Sequence, residues 1–541
     1  MKRITYPILV LIVLLGGFLR IYNLSGSPPS LNWDEAAWGY NAYSISETLR
    51  DEYGQVLPVF TRSFDEYKST LPLYLMIPSI KIFGLNELGV RFPSAFVGTL
   101  AIILIFLLTR QIFRDERMAL ISSFVFAIEP WAVHLSRVYY DANEALFFLL
   151  LGFLLFLCSQ KKHYLLVFST LSFMLSMYTY NANKLLIPLF LTSLVVLSLR
   201  DLKQYPRRVL GISLSLLVLF LLTFVVLAFA GQALARVEST NIFIFWPKTQ
   251  VLQSLIEGHP LSGLTDFFLH NQFFYFIWEV VGRYFAYLSP HNLFLREPQE
   301  PSTIVVDNSI FHPLEFTPWI VGLIYLMRNI KKHKEFLALL VLSPLPAIIT
   351  WNWFQPGRTM ALFAGFSILI GVGVIKIAEY LKIRKVLYFP FVAYGLVAAF
   401  YLFDSINVQL PIRDAGNWQP GFREAVPLVM ELEKDYDKVI IETPQAQPYI
   451  FYLFYGKYSP EKYLAELDLE RIGTPRKVYD FGKFKFRKIY WPEDGNLQNT
   501  LFVGSEENLP RKDIELGGKI ELVRVINDRW GGVSAKIVGT K

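Results

Sequence analysis

The chain has 541 residues, of which 53% are hydrophobic and 18% charged, against about 25% charged in an ordinary soluble protein. The net charge of +7 comes from basic residues set beside apolar runs; this suits loops that orient membrane spans better than a nucleic-acid surface, and no nucleic-acid partner is expected. A single cysteine, Cys158, lies inside an apolar run, which excludes an intramolecular disulfide and a cysteine-rich metal site.

The N-terminus pairs Lys2-Arg3 with an apolar run from Tyr6 to Leu19. No small-residue cleavage site follows and more apolar runs come later, so it reads as an uncleaved first span. A hydrocarbon core needs about 20 mostly apolar residues per helix. By that measure about eleven stretches qualify: 5–22, 93–109, 118–134, 142–158, 164–180, 185–199, 209–230, 314–327, 336–350, 359–379 and 386–403. Every second loop is short and basic, as at Arg114-Asp115-Glu116-Arg117, Lys161-Lys162, Arg207-Arg208 and Lys331-Lys332. That bias marks the cytoplasmic side. The N-terminus is then expected in the cytoplasm, and loops 23–92 and 231–313 and the tail outside, in a multi-pass protein of the plasma (inner) membrane.

The first outer loop opens with Asn32-Trp33-Asp34-Glu35-Ala36-Ala37-Trp38-Gly39-Tyr40. Trp38, Ala42, Ile45 and Leu49 fall at helical spacing, which predicts a short helix lying along the interface on that face. Asp34 near its start suits an N-cap, and equally suits a carboxylate held near the membrane surface as a general base. The stretch Phe64-Asp65-Glu66-Tyr67-Lys68 follows. Lys68 is either a lysine that snorkels to the interface or a point charge for an anionic headgroup. At the outer end of the third span come Glu129-Pro130-Trp131, His134, Arg137 and Asp141. Arg137 and Asp141, four apart, are spaced to pair on a helical turn. Lys184 and Arg358 join Lys68 outside, where a positive-inside bias would not put them, and the three suggest a pocket for a lipid phosphate. No His/Asp/Glu spacing makes a convincing metal site.

The tail has a soluble composition. Lys438-Val439-Ile440-Ile441-Glu442 reads as a buried strand, Pro448–Tyr455 as a mixed aromatic segment, and Phe484–Tyr490 and Glu521–Ile526 as strands, punctuated by Gly pairs at 517–518 and 531–532. The expected organisation is a transmembrane domain over 1–404 and an extracytoplasmic α/β domain over 405–541.

These residues resemble the membrane-embedded GT-C glycosyltransferases that use polyprenyl-phosphate sugars, of the protein O-mannosyltransferase and aminoarabinose-transferase type. The resemblance covers about residues 1–400. It rests on Asp34-Glu35 with Tyr40, on Tyr67-Lys68-x-x-Leu71-Pro72-Leu73-Tyr74, on Arg137-x-x-x-Asp141, and on Tyr178-Thr179-Tyr180 with Pro188. Gly357-Arg358 and Tyr287-Leu288-Ser289-Pro290-x-x-Leu293-Phe294 complete it. It implies a mainly α polytopic GT-C fold and an inverting transfer to a lipid, glycan or protein acceptor. Asp34 would be the base with Glu35 beside it, and Lys68, Lys184 and Arg358 would hold the donor phosphate. Tyr40, Arg137 and Asp141 would orient substrate. The resemblance fixes no cofactor: its members differ in use of a divalent cation. The competing reading is a lipid or glycan transporter or flippase, but transporters place ionisable residues near the bilayer midplane.

Overall fold

A computed structural model describes residues 2–64, 66–229, 253–254, 268–297, 305–350, 352–382, 384–443, 447–466, 480–510, 514, 520–527 and 533–540. Asp65, Trp351, both Gly pairs and much of loop 231–313 lie outside the described residues.

Each of the eleven apolar stretches is helical. The membrane part comprises α1 (Lys2–Ile21), α4 (Glu87–Phe113), α5 (Glu116–Ile128), α6 (Pro130–Arg137), α7 (Asp141–Ser159), α8 (Leu165–Met177), α9 (Asn183–Leu197) and α10 (Arg207–Phe229). After α11 (Gln272–Ala286) come α12 (Phe316–Arg328), α13 (Lys334–Leu342), α14 (Met360–Tyr380) and α15 (Arg384–Asp404). Among the described residues, six helices are long and apolar enough to cross a membrane, and a bent α5–α6 pair makes up to seven. The chain is a multi-pass membrane protein by these helices. The 56° bend falls at Glu129-Pro130, where proline occupies the first turn of α6 and cannot continue the hydrogen-bond ladder of α5. Helix α14 is central because glycines let neighbours in. A Cβ at Gly373 would come within 1.8 Å of the Pro318 carbonyl, and one at Gly371 within 2.2 Å of Ser122 Oγ. Small residues of this kind let membrane helices pack backbone to backbone.

Residues 23–92 fold into α2 (Trp33–Thr48), a hairpin of β1 (Phe60–Ser63) and β2 (Glu66–Ser69), and α3 (Leu71–Phe83). Helix α2 starts with a capping box: the Asn32 side chain accepts the Glu35 N–H while the Glu35 carboxylate accepts the Asn32 N–H. The expected helix is present, but its apolar face is not turned to lipid. Trp38, Ala42 and Ile45 are buried in a cluster with Leu73, Met76 and Ile80 of α3 and with the tail; Leu49, in the left-handed cap, is exposed.

The tail carries α16 (Pro420–Leu432), β3 (Lys438–Ile441), α17 (Pro448–Tyr455), α18 (Pro460–Glu466), β4 (Phe484–Phe486), β5 (Thr500–Gly504), β6 (Ile520–Asn527) and β7 (Val533–Thr540). Its sheet has the order β4-β3-β5-β7-β6. Strand β3 runs parallel to β4 and β5, and β7 runs antiparallel to β5 and β6. Val439 and Ile441 face the cluster shared with α2. Ile440 faces a second cluster with Phe502, Trp491 and Val538, as strand alternation requires. The aromatic segment Pro448–Tyr455 is a helix that packs between this sheet and α2, with Pro448 in its first turn.

Candidate functional site: a carboxylate and a lysine on the 23–92 loop

Helix α2 and the β1–β2 hairpin bring Asp34 and Lys68 into direct contact. The Lys68 ammonium donates to Asp34 Oδ1, with the Asp34 side chain 49% exposed and that of Lys68 only 9%. Lys68 is placed by the hairpin register opposite Thr61, and its ammonium also lies 5.6 Å from the Trp38 ring centroid. A buried lysine beside an open carboxylate is not the arrangement of a snorkelling side chain, whose head sits in water.

The same loop carries two more acids between α2 and the hairpin. Glu52 accepts from Asn41 Nδ2 of α2 at 2.8 Å and from the Tyr449 hydroxyl of the tail at 3.2 Å. Its neighbour Asp51 accepts from the hydroxyl of Thr61, the hairpin partner of Lys68, at 2.7 Å. Burial pushes the Glu52 carboxyl up to about 8, because a desolvated carboxylate disfavours its charged form. Neither acid figures among the residues expected from sequence.

Glu35 is not brought to the Asp34 opening. It is fully buried and held side-on by Arg91, whose Nε and Nη2 donate to its two oxygens at 2.8 and 3.0 Å. The Tyr139 N–H donates to it at 3.0 Å. Arg91 also donates to the carbonyls of Leu24, Pro28 and Ser30, so the pair ties α4 to the segment that leads into α2. Sequence reasoning missed Arg91. The available signal was an arginine at the end of a span that loop charge assigns to the outside, another exception to the positive-inside bias.

Two further expectations are corrected. Arg137 does not pair with Asp141: its guanidinium donates to the carbonyls of Leu19, Tyr22 and Ser27, where a cation caps the C-terminal end of α1. Asp141 instead stands in the electrostatic field of Tyr139, Tyr140 and Glu144. Tyr139 links that group to the first, its ring 5.8 Å from Trp38 and its hydroxyl donating to Glu144 at 3.1 Å. Tyr40 turns to the tail, where its hydroxyl donates to the Tyr458 carbonyl at 3.2 Å and its ring meets Tyr463 edge-on.

The other two cations have neighbours of their own. The Lys184 ammonium is 4.3 Å from the Phe60 ring centroid and 6.0 Å from that of Phe224. Phe60 precedes Thr61, so it points from the hairpin face opposite to Lys68. Arg358 lies within electrostatic reach of Tyr140 and Tyr287, and its Nη1 is buried with no hydrogen-bond partner among the described residues. Tyr287, from the Tyr-Leu-Ser-Pro stretch, is buried and accepts the Gln355 N–H at 2.8 Å. Among the described residues, no group of three or more His, Cys, Asp or Glu side chains is arranged to hold a metal ion.

Residues 68–229 match the family model described as dolichyl-phosphate-mannose-protein mannosyltransferase. A dolichyl-phosphooligosaccharide-protein glycotransferase of Archaeoglobus fulgidus is 32% identical over 146 residues, 25% of this chain and 23% of that protein. A putative mannosyltransferase of Bacillus subtilis is 30% identical over 168 residues, 30% of this chain and 22% of that protein. The chain thus spans less than a quarter of either curated relative. Among solved structures, ArnT from Cupriavidus metallidurans bound to undecaprenyl phosphate aligns over 98% of this chain and 97% of its own, with a TM-score of 0.58 at 13% identity. The oligosaccharyltransferase AglB from Archaeoglobus fulgidus, in complex with an inhibitory peptide and a dolichol-phosphate, aligns over 84% of this chain and 64% of its own, with a TM-score of 0.51 at 17% identity. The fold is the polytopic GT-C fold with a C-terminal sheet domain, and the chain is similar to the membrane glycosyltransferases of the PMT/ArnT-like type.

Proposed function

We propose that the chain is a membrane glycosyltransferase that moves a sugar from a polyprenyl-phosphate donor to a lipid, glycan or protein acceptor, on the extracytoplasmic side and with inversion. The observation that carries this reading is the contact of the half-exposed Asp34 carboxylate with the buried Lys68 ammonium. It joins a general base and a phosphate-binding cation on one outer loop. In the transfer, the acceptor hydroxyl oxygen attacks the anomeric carbon while Asp34 takes its proton. The bond from that carbon to the phosphate oxygen breaks, and polyprenyl phosphate leaves with the electron pair.

In-line attack puts base and leaving phosphate on opposite faces of the sugar. The Asp34–Lys68 pair therefore opens when donor binds, and the lysine, a point charge on a flexible stem, follows the phosphate. Arg358, with its unpartnered Nη1 among the described residues, supplies a second cation for the charge that develops there. Lys184 and Asp141 contribute from the flanks. Glu35, locked by Arg91, and Arg137, locked on α1, position the elements and do not touch substrate. The lipids named in the ArnT and AglB structures support a polyprenyl-phosphate donor. In this reading the N-terminus is cytoplasmic, the tail extracytoplasmic and the membrane the plasma membrane.

The test is incubation of the purified protein with radiolabelled polyprenyl-phosphate sugars and cell-envelope fractions. Label moved onto an acceptor supports the reading. Label carried across a vesicle bilayer with no change of bonding supports a flippase in its place.

A further inference from the structure

We infer that the tail holds a binding site for a neutral saccharide, separate from the Asp34–Lys68 pair. A cavity of about 440 Å³ opens where the linker after α15 meets the sheet, within the range of about 300–1,000 Å³ usual for small-molecule sites. It lies at the carboxyl ends of β3 and β5, walled by Ile441 and Glu442 on one strand and Val503 to Ser505 on the other. These two strands are parallel neighbours, and the chain leaves β3 for β4 on the far side before returning to β5. Parallel sheets bind ligands in the crevice beyond the strand ends at such a reversal.

The lining chooses among ligand classes. Phe422 forms one wall. One ring face is stacked on Phe451, with centroids 4.5 Å apart and planes 7° apart, while the residue is only partly buried. A fixed aromatic plate of this kind suits the C–H face of a sugar ring. Around it stand groups that donate and accept hydrogen bonds: Arg413, Gln419, Glu442 and Ser505. Gln419 Oε1 has no hydrogen-bond partner among the described residues.

Charge points the same way. Glu442 is engaged by the Ser505 N–H at 2.6 Å and by the Asn508 amide, and the half-exposed Arg413 is paired with Asp307. Both charges are thus already matched within the protein, and an ionic ligand would have to compete with those partners. A neutral polyhydroxyl ligand need not displace either.

The inference does not depend on Asp34 acting as a base, and the test keeps the two apart. The full chain in lipid nanodiscs, free of glycosidic detergent, is titrated with neutral hexoses, pentoses and their disaccharides under ligand-observed saturation-transfer NMR. Glucose 1-phosphate serves as the anionic arm. At least one neutral sugar is expected to bind, with affinity at least tenfold weaker in Gly416→Trp and in Gln419→Ala, and unchanged in Asp34→Asn. Gly416 lines the cavity and a Cβ there meets no atom within 4 Å, so a large side chain at its rim does not clash with the core; Gln419→Ala covers the case in which that variant does not fold. No neutral sugar bound, binding unaffected by both substitutions, or binding of the phosphate sugar alone would each overturn the inference.

Discussion

Arg91 grips Glu35 through two parallel hydrogen bonds in a site closed to solvent, one residue from the half-open Asp34. Adjacent acids thus have opposite environments. Removing one partner of a buried pair leaves the other charge uncompensated, at a cost of about 3–5 kcal/mol. Glu35→Gln and Arg91→Met are therefore expected to lower stability by that order in a thermal or denaturant assay in lipid. Asp34→Asn, on the half-exposed side of its pair and still offering Lys68 an acceptor oxygen, is expected to cost less than either. Equal losses at 34 and 35 would contradict the division of labour drawn between them.

Lys68→Ala should weaken use of the donor. A hydrogen bond to a charged group is worth about 1.5–3 kcal/mol, or roughly a 10- to 150-fold loss in kcat/KM, shared between the donor's KM and kcat because the phosphate gains charge as it leaves. Lys184→Ala, whose ammonium rests on Phe60, is expected to lose less than about threefold, the lower end of a cation–π contact. Steady-state kinetics with donor varied and acceptor saturating separate the two.

Stability should fall with rising pH through Glu52. The carboxyl ordinarily titrates near 4.5 and in the folded protein near 8. The folded state holds this proton more tightly than the unfolded chain, so its contribution is complete below about pH 4.5 and lost as pH rises through about 8. Melting temperature measured from pH 5 to 9 should decline, and Glu52→Gln should flatten the decline. An unchanged slope in Glu52→Gln would remove this group as its source.

The tail is docked on α2 closely enough for one methyl group to be felt. A Cβ at Gly39 would stand 2.5 Å from Phe454 and 2.6 Å from Val90. Gly39→Ala is expected to cost about 1–3 kcal/mol by overpacking and to speed release of the tail in limited proteolysis.

The spans were legible because long apolar runs and alternating loop charge are local signals. Asp34 and Lys68 were legible as chemistry-bearing types in the wrong place for mere anchors, but their contact was not, since it depends on how the hairpin folds back. The Glu35–Arg91 pair joins residues 56 apart, and spacing along one helix says nothing of such a partner. Arg137 and Asp141 show the reverse error. Their spacing suited a helical turn, but a break falls between α6 and α7, and Arg137 found the carbonyls of α1. Tyr40 looked set to face substrate because nothing local in α2 signals that the tail buries it. In the tail, Thr500–Gly504 is buried on both faces, and such a short apolar run shows no alternation to mark it as a strand.

The central claim rests on Asp34, and Asp34→Asn in the purified protein tests it most directly. The measurement is transfer of radiolabelled sugar from a polyprenyl-phosphate donor, alongside the melting temperature of the same preparation. Loss of transfer is expected, with insertion and melting temperature retained. Full transfer by the Asp34→Asn protein would contradict it.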